Sequence, residues 1–348
     1  LAAFIAGVDE YQDFIRCTVA SAGNDHRLGA NEAPPAILSI FLGDELNNVV
    51  RSIIDGTNYQ DPEKSVMRVG VDVMPAIPKD TTDRNRTSPL AFTGNKFEFR
   101  MLGSSQSVSS PNIALNTIMA EELSQFAEVL ESAKDFDSAL QELICDAFTK
   151  HQRIIFNGDG YSNEWKTEAA RRGLLNLPTT ADALPHFVNE ENIALFTRHR
   201  VYTEKEMRSR YEIILENYCK TIRIEAATMV DMVYKHFLPA ITSFVKDVAE
   251  AGNAKKALFE GIDLSYELET VKKLSALTAA ISRSVRELEE ELVRADTITD
   301  VTNLSFTFKD KVITKMAELR SAVDEAEHIT AAKNWPFPNY SELLFGVR

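Results

Sequence analysis

The chain has 348 residues, long enough for two domains, and its 44% apolar and 26% charged side chains are the balance of a packed globular protein. No apolar run approaches the roughly 20 residues of a membrane-spanning helix, and a net charge of −14 argues against general nucleic-acid binding. Three widely separated cysteines, Cys17, Cys145 and Cys219, give neither a disulfide framework nor a zinc pattern, which fits a reducing, cytoplasmic setting.

The chain opens on Leu1, and its first eight residues already read as the inside of an amphipathic helix with no cap before it. The expectation is a fragment that starts in mid-domain. Phe4, Ile5, Val8, Tyr11 and Ile15 recur at helical spacing and predict one helix over 1–21. Residues 22–36 hold two glycines and two prolines and predict a loop long enough to be functional. A short apolar run from Ala36 to Leu42 follows. Val69, Val71 and Val73 alternate with polar residues and predict a strand, and Phe97, Phe99 and Met101 predict a second. Pro75, Pro78, Pro89 and Gly94 mark the loop between them. A Ser-rich stretch, 104–110, leads into a helix expected to run from Pro111 to about Phe148.

Beyond residue 150 the pattern is nearly all helical. One long helix is expected over 203–250, kinked at Pro239. Leu264, Leu268, Val271, Leu274, Leu277, Ile281, Val285, Leu288 and Leu292 step by three or four, as do Val312, Met316, Leu319, Val323 and Ala326. Such steps predict a helical hairpin or bundle seam. The tail from Asn334 to Tyr340 is rich in proline and aromatics and predicts an extended segment docked on its own subunit or on a neighbour. The organisation expected is a mixed region over 1–150, a connection over 151–200 and a helical region over 201–348.

Three places could carry chemistry. On a strand, side chains two apart share a face, so Lys96, Glu98 and Arg100 line one face and Phe97 and Phe99 the other. The charged face is either a solvated, mutually paired ladder or a metal-binding carboxylate between two phosphate-binding cations. Arg84 and Arg86 lie in a loop closed by Pro89, where a planar guanidinium can grip carboxylate or phosphate. The loop from Asn24 to Pro35 packs His26, Arg27 and Glu32 among flexible glycines. For His26 and Glu32 taken alone, plain exposure is the simpler reading.

Taken together and in this order, these segments resemble the carboxy-terminal half of the glutamine synthetase catalytic domain. The resemblance rests on Arg27-Leu-Gly-Ala-Asn-Glu32-Ala33-Pro34, then Asn85-Arg86-Thr87-Ser88, then Lys96-Phe97-Glu98-Phe99-Arg100, then Pro111-Asn112-Ile113 before a long helix. The wording of the first and third segments, and the long helical tail, are similar to the type III branch. The resemblance implies an α+β fold: a partial curved antiparallel sheet with flanking helices over 1–150, then an all-helical carboxy-terminal region. It implies ligation of ammonia to glutamate, driven by ATP, through γ-glutamyl phosphate, in a homo-oligomeric ring.

The resemblance also implies roles. Arg27 matches the arginine that holds the substrate glutamate. Glu32 matches the flap carboxylate that closes the site and favours loss of a proton from ammonium. Arg86 matches an arginine at the ATP phosphates, with Lys96 replacing a nucleotide-side arginine. Glu98 matches a carboxylate ligand of Mg²⁺ or Mn²⁺, and Arg100 the arginine at the substrate end of the strand. Two departures stand out: the span from Arg27 to Glu32 is one residue short, and Ala91 replaces a further arginine. The family's Gly-rich nucleotide loop, paired metal carboxylates and metal-binding histidine belong upstream, so half an active site is expected, inactive alone. The alternatives are a non-catalytic relative, a γ-glutamyl ligase using a larger amine, or a helical assembly module.

Overall fold

The structure, a computed structural model, describes residues 1–29, 33, 35–59, 66–67, 77–78, 87–259, 261–338 and 340–346. The chain divides into two compact units, Leu1–Leu215 and Glu216–Arg348.

In the first unit the helix expected over 1–21 is two helices. α1 (Ala2–Glu10) and α2 (Gln12–Cys17) are separated at Tyr11, whose ψ of 28° leaves the helical range. Ile5 and Val8 of α1 and Phe14 and Ile15 of α2 are buried. The polar stretch that follows begins with a short helix, α3 (Ala22–Asp25), capped by the Ser21 hydroxyl, which accepts from the Asn24 amide at 3.2 Å.

A small sheet lies next. β1 (Ile40–Phe41) leads into α4 (Asp44–Asp55), then an antiparallel pair, β2 (Val66–Met67) and β3 (Ile77–Pro78), then the hairpin of β4 (Leu90–Phe92) and β5 (Phe97–Phe99). The strand order is β1-β4-β5. β4 and β5 are antiparallel, with Gly94 at φ +95° in their turn, but β1 runs parallel to β4. The sheet is therefore mixed, which corrects the all-antiparallel expectation. The physical reason is the connection: 48 intervening positions return the chain to the same end of the sheet, as a parallel pair requires. The strand expected at Val69–Val73 lies outside the described residues.

The long helix expected from Pro111 breaks into α5 (Ser109–Glu131) and α6 (Phe136–His151), because Asp135 caps a new start and bonds the Ser138 hydroxyl at 2.6 Å. An extended segment at 155–157 then closes the other side of β1: Phe156 N donates to Ile40 O at 2.9 Å, and Asn157 Oδ1 accepts from the amides of Leu42 and Gly43. α7 (Asn163–Arg171), α8 (Thr180–Ala183) and α9 (Glu190–Arg198) each start at a side-chain cap, Ser162, Thr179 and Asn189.

The boundary between the units falls inside α10 (Glu204–Met232). The second unit continues with α11 (Leu238–Leu258), α12 (Ser265–Ala295), α13 (Val301–Thr307), α14 (Ile313–Ile329) and α15 (Tyr340–Phe345). Between α10 and α11 the residues Val233–Phe237 form a π-turn, just before Pro239, which lacks an amide hydrogen. The expected seam is real in its middle: Leu274, Ile281, Val285 and Leu288 of α12 meet a core with Phe308, Val312 and Leu319. It fails at its start, where Leu268 is 68% exposed. The tail docks on its own unit, with Trp335 stacked on Phe237 at 5.1 Å between ring centroids and Phe337 beside it at 5.4 Å. Among the described residues no helix is long and apolar enough to cross a membrane.

Candidate active site

The hairpin β4–β5 presents the charged ladder that the alternation predicts. Phe97 turns to the protein side, stacking on Phe4 of α1 at 4.0 Å and tilting against Phe92. On the other face Arg100 Nη2 lies 3.1 Å from Glu98 Oε2, and Lys96 Nζ lies 3.5 Å from Glu98 Oε1. The hydrogen bond from Arg100, with help from Lys96, holds the Glu98 carboxyl below its usual range and keeps it ionised. Arg100 is well covered and Lys96 mostly exposed. Ala91 pairs with Glu98 across the hairpin and is fully buried.

Arg27 approaches the same strand end from the α3 turn. Its Nη1 donates to Met101 O at 3.1 Å and to Asn24 Oδ1 at 3.2 Å, and its Nη2 to Arg100 O at 3.4 Å. Asn24 doubles the tie by donating Nδ2 to Met101 O at 3.0 Å and to Val19 O at 2.8 Å. Three of the five guanidinium N–H groups are thereby directed at the protein, leaving Nε and one N–H of Nη2 for other use. Arg27, Lys96, Glu98 and Arg100 are thus connected through the β5 strand and its exit. Glu32 and Arg86 lie outside the described residues. Gly160 packs so closely on Thr87 that a Cβ there would strike the Thr87 carbonyl oxygen.

The donor set does not make a divalent-metal site by itself. Glu98 is the one carboxylate on the ladder, and among the described residues no group of three His, Cys, Asp or Glu side chains is placed to hold a metal. Mg²⁺ and Mn²⁺ prefer several oxygen ligands, so Glu98 contributes at most one of them, and no chemical step can be derived through a metal from these residues.

Sequence reasoning missed the side chains that fix this geometry. Asp25 ties the α3 turn to Thr180, and Arg16 ties it to Leu177 and Pro178. Asp9 lies 2.8 Å from both His151 Nδ1 and Arg153 Nε, joining α1 to the end of α6. The Asn24-Asp25 pair beside Arg27 was the available signal, but Met101 lies 77 residues from Asn24 and Thr180 lies 155 residues from Asp25.

Residues 139–256 match the family described as the glutamine synthetase C-terminal domain. Nearly the whole chain also aligns with curated glutamine synthetases. It is 43% identical to a type-3 glutamine synthetase of Dictyostelium discoideum over 99% of this chain and 48% of that protein. It is 40% identical to a glutamine synthetase of Butyrivibrio fibrisolvens over 100% of this chain and 50% of that protein. With a glutamine synthetase of Bacteroides fragilis (strain YCH46) the identity is 36%, over 97% of this chain and 48% of that protein. The chain spans about half the length of the curated relatives it matches; over that span it is similar to glutamine synthetases, and its residues 139–256 match the glutamine synthetase C-terminal domain.

Proposed function

We propose that this chain supplies the glutamate-side part of a glutamine synthetase active site, in a protein that joins ammonia to glutamate at the expense of ATP. The observation that carries the reading is the Lys96–Glu98–Arg100 ladder with Arg27 tied to the backbone of Arg100 and Met101. It sets two cations on one carboxylate and brings a third, Arg27, to the exit of the same strand, on a molecule whose net charge is −14. A local cationic cluster is what two anionic substrates, glutamate and ATP, need on an acidic surface.

Attack of the glutamate γ-carboxylate on ATP brings like charges together, so aligned cations lower the barrier more than proton transfer does. In this reading Arg27 and Arg100 hold substrate carboxylate, Lys96 and Arg86 face the nucleotide phosphates, and Glu32 closes the site and draws a proton from ammonium. γ-Glutamyl phosphate is easily hydrolysed, which gives the flap role that the resemblance assigns to Glu32 its purpose. ATP and Mg²⁺ or Mn²⁺ belong to the reading as co-substrate and cofactor, with Glu98 as one metal oxygen ligand and the remaining ligands supplied from outside these residues. The same reading takes 1–150 as the C-terminal part of the catalytic domain, 151–200 as a connection and 201–348 as a helical domain of a cytoplasmic homo-oligomer, arranged as a ring.

The test compares two proteins. The full-length protein, given glutamate, ammonium, ATP and Mg²⁺, is expected to release glutamine and ADP in equal amounts. The isolated 1–348 chain is expected to release neither. Turnover by the isolated chain refutes the half-site reading, and an inactive full-length protein refutes the synthetase reading.

A further inference from the structure

The turn that carries Arg27 is held from two directions. One is the strand exit, through Asn24 and Arg27 to Met101 and Arg100. The other is a buried hub at Asp25. Its Oδ2 accepts from Thr180 N at 2.7 Å, and its Oδ1 accepts from Thr180 Oγ1 at 2.9 Å and from Arg16 Nη2 at 3.3 Å. Arg16, with a side chain only 1% exposed, also donates Nε to Leu177 O at 2.8 Å and Nη2 to Pro178 O at 3.3 Å. Residues 177–180 lie inside the 139–256 stretch that matches the C-terminal domain family.

This hub is a poor device for stability alone. Burial pushes the Asp25 carboxyl up and the Arg16 guanidinium down, each toward its neutral form, against their mutual attraction. Desolvation of that kind makes a buried ion pair about as stable as an apolar pair of the same shape. One guanidinium nitrogen, Arg16 Nη1, has no hydrogen-bond partner among the described residues. What the hub does supply is direction: four hydrogen bonds of fixed geometry between 16–25 and 177–180, with a fifth, from Arg16 to Asp25, joining their anchors. Arg27 is two residues beyond Asp25, and its amide and that of Leu28 bond to Asn24 O at 3.0 and 2.9 Å, so the turn moves as one piece.

We propose that Asp25 is a positioning residue, which locks the 177–180 segment of the 151–200 connection against the α3 turn and thereby sets the placement of Arg27 toward substrate glutamate. The proposal rests on the glutamine synthetase reading above. It gives the connecting segment a part in the chemistry. Asp25 itself touches no substrate; it acts through the turn.

The experiment uses the full-length protein carrying Asp25→Asn, which keeps the shape and an oxygen acceptor but loses the charge that Arg16 faces. The expected result is a glutamate KM raised about tenfold with the ATP KM changed less than about twofold, since misplacing one orienting group costs that order. Thr180→Val removes only the hydroxyl and is expected to give the same split at about threefold. Amide hydrogen exchange at Arg27 and Leu28 is expected to speed up in both variants. Equal rises in the two KM values, or an unchanged glutamate KM with faster exchange, overturn the proposal. Should Asp25→Asn fail to fold, Thr180→Val decides it by the same two readouts. Should the wild-type protein make no glutamine, the functional reading fails by itself, and unchanged exchange at Arg27 and Leu28 then removes the positioning claim as well.

Discussion

Glu122 is a side chain whose charge the fold tolerates poorly. It sits on α5 facing α1, with only 2% of its surface exposed, and its Oε1 has no hydrogen-bond partner among the described residues. Burial first, then the negative charges of Glu10 on α1 and Glu121 on α5, push its carboxyl up to about 7, with Lys150 of α6 pulling the other way. Its unfolded value is near 4.5. The folded state therefore holds a proton that the unfolded chain has lost between these values, so stability from this group is full below pH 4.5 and is lost as pH rises through 7. Glu122→Gln keeps the shape without the charge. It is expected to raise unfolding stability at pH 8 by about 1–2 kcal/mol, discounted for screening, and to leave it nearly unchanged at pH 4.5. Urea denaturation at the two pH values measures this, and an equal effect at both counts against it. The residue illustrates what a linear reading can see. The Glu98 ladder is local, fixed by alternation over five residues, and was legible. Glu122, Asp25 and Arg16 owe their states to partners on other elements, and nothing in their own neighbourhood in sequence marks them.

At the scale of elements, the closest helix contact is set by a glycine. Gly7 of α1 faces α5, where an added Cβ would lie 2.5 Å from Ile118 Cγ2 and 3.0 Å from Glu122 Cγ. Alanine is the better helix former by up to about 1 kcal/mol, yet Gly7→Ala is expected to destabilise by about 1–3 kcal/mol because a packed interface cannot absorb the extra atom. Pairing it with Ile118→Ala, which removes the obstructing methyl, is expected to shrink the cost of the alanine at position 7. Thermal or denaturant unfolding of the four proteins in the cycle tests it, and strictly additive effects would sink the argument. Element boundaries show the same divide between local and distant causes. Apolar spacing runs on through Tyr11, so the break between α1 and α2 could not be read. The break before α6 could have been, since Asp135 stands three residues ahead of Ser138 in a capping pattern. The mixed sheet could not, because the pairing of β1 depends on β4 and on residues 155–157, more than a hundred positions further along.

Across the whole chain, two cores form separately. Ile5, Ile15, Ile40, Leu90, Trp165 and Phe196 are buried in Leu1–Leu215, and Leu274, Ile281, Val285, Leu288, Phe308 and Leu319 in Glu216–Arg348. The helical seam that fills the second core was readable because a period near 3.5 repeats over some thirty residues of α12. The division at residue 215 was not, since α10 crosses it without any break in helical pattern. Separate cores imply separate cooperative units, each with its own opening free energy. Leu288→Ala removes a fully buried side chain of the second core and is expected to cost that unit about 2–5 kcal/mol. Hydrogen exchange read residue by residue is expected to show lost protection confined to 216–348, with amides of α1, α5 and β4 unchanged. A uniform loss across both units would mean that the chain unfolds as one body, and the helical region would then share its stability with the part that carries Arg27 and Glu98.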